Sequence, residues 1–149
     1  MPPSNRPTAD WPTFGTLRYG SHYWEGSLDL PAFGGPFPLI LRATSDGPTP
    51  SQTAALARVL AEAANIRAAA SAEMVAVHEE SGLLPADLGS APDAIWQNLL
   101  PCQIEVSDAA YYGDGRIAVL IIFESTQHGD FAPAIETVDG EYVGVLSGT

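Results

Sequence analysis

The chain has 149 residues and is 46% hydrophobic, which suits one domain that buries roughly two-thirds of the surface its unfolded form would expose. Its net charge is −12, and eleven of those charges fall in the last 72 residues, where twelve carboxylates face a single base, Arg116. That half repels nucleic acid and other anions and favours encounter with a partner of opposite sign; solubility alone is the competing reading of such a composition.

Residues 1–13 hold Pro2, Pro3, Pro7 and Pro12 with one base, Arg6, and no apolar segment, so they are expected to form a flexible arm and not a signal peptide. The domain is expected over 14–149. Strand-like segments follow around Leu17 and Tyr19, over 23–30 and over 37–43, separated by Gly20-Ser21 and by Phe33-Gly34-Gly35-Pro36, residues that supply the dihedrals turns require. In the second, Tyr23, Glu25, Ser27 and Asp29 alternate with Trp24, Gly26, Leu28 and Leu30, which predicts one polar and one apolar face. His22, in the turn before it, reads as structural.

The strongest local signal spans 49–82. Thr49 is placed as N-cap, Pro50 at the first helical position and Gln52 three residues on, a capping box; Gly82 is placed to end the helix in the left-handed conformation. Leu56, Val59, Leu60, Ala63, Ile66, Ala70, Met74 and Val77 fall on one stripe, so the helix should lie on a sheet. Arg67 lies within that stripe and is expected at an edge, with pairing to a buried carboxylate as the alternative. His78, near the helix C-terminus, is expected to carry partial positive charge that suits the macrodipole.

A Pro-containing connection over 83–89 leads to a short helix capped at Ser90 and running to Leu100, where Pro101 should stop it. Four more strands are expected over 102–106, 116–124, 131–138 and 142–146, with Asp139-Gly140 as a two-residue hairpin turn. Cys102 is the only cysteine, so no intramolecular disulfide forms and a reducing compartment, the cytoplasm, is expected. With no neighbouring base to activate it, Cys102 reads as a buried structural thiol. The run 117–123 is apolar on both faces, which marks the middle of a sheet, and it is far shorter than the roughly 20 residues of a membrane-spanning helix.

Two groups of residues carry chemistry. Glu124, His128 and Asp130 crowd together after the central strand, where carboxylate and imidazole bind metals or exchange protons, although their spacing matches no established ligand motif and a polar turn explains them equally. Asp108, Tyr111, Tyr112 and Asp114, with Asp139 and Glu141, make an acidic and aromatic set suited to recognising a basic partner. The glycines at 34–35 and 113–115 lack the further residues of nucleotide-binding loops, and Asp108 to Asp114 does not reproduce a calcium loop.

Trp24-Glu25-Gly26 in an early strand, Ile95-Trp96 in the helical middle and a late apolar strand running into His128-Gly129 together resemble a group of small bacterial proteins of unknown function, the DUF6985-like domain. The resemblance covers the chain from about Phe14 and implies association with immunity proteins of bacterial toxin systems. Ser125 and Thr126 depart from it where a tryptophan often precedes the acidic turn.

The expected fold is a single α+β domain, a mostly antiparallel sheet of about six to seven strands packed by one long and one short helix. The expected function is that of an acidic binding protein of the immunity type whose partner is a basic protein, a cationic toxin. No cofactor, metal, nucleic acid or membrane enters that reading. The alternatives are a small enzyme or metal-binding protein using Glu124, His128 and Asp130, and a domain whose uncovered sheet face pairs with a second copy as a homodimer.

Overall fold

A computed structural model describes residues 8–86 and 92–148. The start of the expected Pro-rich arm, up to residue 7, and the expected cap at Ser90 lie outside them. Eight strands form one sheet in sequence order: β1 (Thr8–Trp11), β2 (Gly15–Tyr19), β3 (Trp24–Leu30), β4 (Gly35–Leu41), β5 (Leu99–Val106), β6 (Ala118–Ser125), β7 (Ala134–Val138) and β8 (Glu141–Leu146). Every pair is antiparallel except β4 with β5, which are parallel because helix α1 (Pro50–Glu80) connects them. The fold is therefore the predicted α+β domain, with a sheet slightly larger than expected.

The additional strand is β1. Thr8–Trp11 was expected to belong to the arm, but it pairs with β2 from Thr8 opposite Arg18 to Trp11 opposite Gly15. Pro12 follows it, and an edge position tolerates a proline there because one side of the strand needs no ladder partner. Trp11 then packs edge-on against Trp24, with ring centroids 5.9 Å apart. β4 obeys the same rule. Pro36 and Pro38 pair only with β3, and the parallel ladder to β5 begins at Leu39.

Alternate residues of β4 to β7 bury on the side that carries α1. Leu39, Ile104, Ile121 and Ile135 are directly opposed across β4 to β7 and all are buried, as are Leu56, Val59, Ile66, Ala70, Met74 and Val77 on the facing helix. β6 is central to this layer, as its apolar run predicts. The helix begins on the predicted capping box: Gln52 N–H donates to Thr49 Oγ1 at 3.2 Å, and Thr49 N–H donates to Gln52 Oε1 at 3.0 Å. Gly82 follows its end at φ +72°, the left-handed conformation expected of it. Among the described residues, no helix is long and apolar enough to cross a membrane.

The expected short helix is a 3-10 segment, Pro92–Asn98, and Pro101 does not end it. Leu99, Leu100 and Pro101 instead open β5, opposite Ser125, Glu124 and Phe123. A bulge between Pro101 and Gln103 absorbs the missing proline N–H. Above this segment Arg67 reaches Asp93 at 3.0 Å and lies over the Trp96 ring at 5.6 Å, so it occupies the edge with an exposed carboxylate as partner.

Candidate functional site

Directly opposed residues in a sheet project to the same side, so the register shows what the face away from α1 presents. Glu25 pairs with Ile40, Ile40 with Glu105, Glu105 with Leu120, and Leu120 with Glu136. These residues alternate in sequence with the buried helix-facing set, so they form one row across five strands on the open face. Its carboxylates recur every second strand, about 10 Å apart.

Beside this row lies a groove of about 500 Å³ lined by Cys102, Gln103, Glu105, Tyr111, Leu120, Ile122, Ala132, Leu146 and Gly148. The β5 bulge contributes to it, because the extra residue turns both Cys102 and Gln103 toward the same space. Gln103 pairs with Ile122, Ile122 with Ala134, and Ala134 with Leu146, giving the groove a largely apolar floor. Glu124 follows two residues after Ile122 on the same strand, opposite Leu100, which is 52% exposed. Cys102 was expected in the core but is half-buried on this face. Burial raises its pKa first and the charge of Glu124 raises it further, so the thiol is not an activated nucleophile.

The loop over 107–117 forms one wall. Asp108 Oδ1 accepts from Ala110 N–H at 3.0 Å, and Gly115 N–H donates to the Ala109 carbonyl at 3.2 Å. The Arg116 guanidinium donates to Asp114 at 2.8 Å and lies over the Tyr112 ring at 4.9 Å. Tyr112 donates its hydroxyl to Glu136 at 2.5 Å and packs on Tyr111, with ring centroids 4.8 Å apart. Burial raises the Tyr112 pKa first, and the Glu136 acceptor reinforces it; Asp114 is held low chiefly by the Arg116 backbone N–H that it accepts. Tyr112 and Asp114 thus shape the loop, while Asp108 and Tyr111 are exposed, Tyr111 by 49%.

The other two acids of the predicted surface are placed differently. Asp139 accepts from Ile117 N–H at 3.0 Å and sits at φ +51° with Gly140 at φ +86°, in the predicted hairpin turn. Glu141 turns to the helix side and pairs with Arg58 at 3.7 Å. Of the second predicted group, Glu124 belongs to the open face, whereas His128 and Asp130 line a separate recess of about 240 Å³ with Leu83 and Phe131. Among the described residues, no group of three or more His, Cys, Asp or Glu side chains is placed to hold a metal ion.

His78 differs from expectation. It is 2% exposed, its Nδ1 donates to the Met74 carbonyl at 2.7 Å, and its ring meets the Phe131 ring edge-on at 4.8 Å. Burial outweighs the backbone hydrogen bond and lowers its pKa, and His128 lowers it further, so the ring is neutral where a charge suiting the macrodipole was expected. His22 is exposed in its turn.

Sequence reasoning missed Glu105, Glu136 and the floor residues of the groove. Their association needs the register of β5, β6 and β7, and no local spacing encodes that. The polar face of β3 that carries Glu25 was legible from alternation alone. Comparison with protein-family models, with curated proteins and with solved structures finds no match to this chain.

Proposed function

We propose that this chain is a binding protein that receives a basic protein surface on the face of its sheet away from α1, working in the cytoplasm as an immunity-type inhibitor of a cationic toxin. The observation that carries the reading is the set Glu105, Glu124 and Glu136 on this face beside an apolar groove with Tyr111 at its wall. A basic surface gains steering from the carboxylates and contact area from the aliphatic floor and the exposed ring. The net charge supports a basic partner, and the resemblance of Trp24-Glu25-Gly26 and His128-Gly129 to the DUF6985-like domain is what supports a toxin.

The reading is tested by comparing the wild-type chain with the triple variant Glu105→Gln, Glu124→Gln, Glu136→Gln as immobilised bait for host lysate that includes the products of neighbouring genes. A basic protein retained at low salt should associate at least about tenfold more slowly with the variant, with a flatter salt dependence. Equal association rates at all salt concentrations would remove this face as the docking surface.

A further inference from the structure

Building on that reading, we infer that the groove is the seat of an arginine- or lysine-bearing extended segment of the partner, with aliphatic stems on Leu120, Ile122 and Leu146 and cationic heads reaching Glu124, two residues beyond Ile122, or Glu136, opposite Leu120. The floor is apolar and Glu105 is in the lining, while Glu124 and Glu136 stand beside the groove on the same face, a combination that a long amphipathic cationic side chain satisfies at both ends. Glu124 and Glu136 have no arginine within ion-pair distance among the described residues, and Tyr111 offers an exposed ring face at the wall. The same face already docks its own guanidinium in this manner. Arg42 donates to Glu105 at 3.1 Å while lying over the Tyr23 ring at 5.3 Å.

The volume, about 500 Å³, lies in the range of sites that enclose a ligand larger than one small group, so residues flanking the cation enter as well. Anionic ligands are opposed by Glu124 and Glu136, which flank the groove floor on the same face. A second copy of the chain brings its own net charge of −12 to the contact and is opposed for the same reason.

Cys102 lines the groove and is the only thiol, so it reports on occupancy without any knowledge of the natural partner. Two rates are measured at low salt on the full chain. One is modification by a cationic methanethiosulfonate against its anionic counterpart, each normalised to a free thiol in a short neutral peptide. The other is alkylation by neutral iodoacetamide with and without hexa-arginine, whose binding is followed independently by tryptophan and tyrosine fluorescence.

The cationic reagent should be favoured at least about tenfold, hexa-arginine should slow alkylation at least about fivefold, and both effects should shrink in the Glu→Gln triple variant and in salt. Hexa-arginine that binds without protecting Cys102 overturns the groove assignment and leaves the acidic face standing. Absence of reagent preference together with absence of protection also overturns it, and the lysate comparison then decides the broader reading separately. Cys102 reactivity that falls as protein concentration rises, with no peptide present, would assign the groove to a second copy instead.

Discussion

The side-chain amide of Gln52 donates to the carbonyl of Ser107 at 2.9 Å, joining the first turn of α1 to the chain just beyond β5. The same Nε2 donates to the Arg42 carbonyl at 2.8 Å, just beyond β4. One buried side chain, 1% exposed, thus closes the helix N-terminus and ties together the ends of the two parallel strands that the helix connects.

Replacing Gln52 with leucine keeps the bulk but removes both donors and the reciprocal half of the capping box. Two carbonyls at that junction lose their partners, at a cost of about 1–3 kcal/mol each when left without water. The expected loss is about 2–4 kcal/mol in urea unfolding with an unchanged m-value. A loss under about 1 kcal/mol would show that the junction is held by other contacts.

Gly26 has an ordinary φ, so its importance is spatial. A Cβ added there would lie 2.5 Å from Leu17 Cδ2 and 3.1 Å from the Thr16 carbonyl, where β3 meets β2 on the helix-facing side. Gly26→Ala should therefore cost about 1–3 kcal/mol by overpacking. Combining it with Leu17→Ala, which removes the closest of these atoms, should make the double variant more stable than the sum of the two losses predicts; strict additivity would show that the Leu17 side chain is not the obstacle.

His78 makes stability depend on pH. Its folded pKa lies below the ordinary 6.5, so the unfolded chain binds more protons as pH falls through that value. The stabilisation is complete above about pH 6.5 and is lost as pH falls toward the folded pKa, with a slope of at most about 1.4 kcal/mol per pH unit from this group. In His78→Gln the His78-dependent component over that window should disappear, leaving the contribution of the carboxylates. A difference between wild type and variant that does not change with pH would mean that His78 titrates alike in both states.

What could be read from the sequence was what the chain encodes within a few residues. Thr49, Pro50, Gln52 and Gly82 mark the helix because capping is local chemistry, and Asp139-Gly140 marks its hairpin for the same reason. Leu99 to Pro101 misled because a proline after an apolar helical pattern reads as a stop, and only the ladder to β6 shows that these residues extend a strand with a bulge beyond them. The open-face row was hidden for a stronger reason. Glu25 and Glu105 are separated by the whole of α1, and their alignment depends on the parallel pairing of β4 with β5. Tyr111 was identified by composition, but its place in the groove wall depends on the loop packing that includes the Tyr112 contact to Glu136 on β7.

That last contact gives an alkaline signature. Burial and the Glu136 carboxylate raise the Tyr112 pKa, and burial with the Glu73 carboxylate does the same for Tyr142. Both phenols keep their protons in the folded state beyond the pH at which the unfolded chain loses them, near pH 10, so the stability they contribute is present below that pH and lost above it. Absorbance titration of the folded protein should therefore show two of the five tyrosines ionising late, with unfolding steepening the curve. Tyr112→Phe should leave one late tyrosine, cost about 0.5–1.5 kcal/mol at neutral pH, and loosen the 107–117 loop from β7. If both late tyrosines persist in that variant, Tyr112 is not the group that Glu136 holds, and the wall of the groove is fastened by something other than this hydrogen bond.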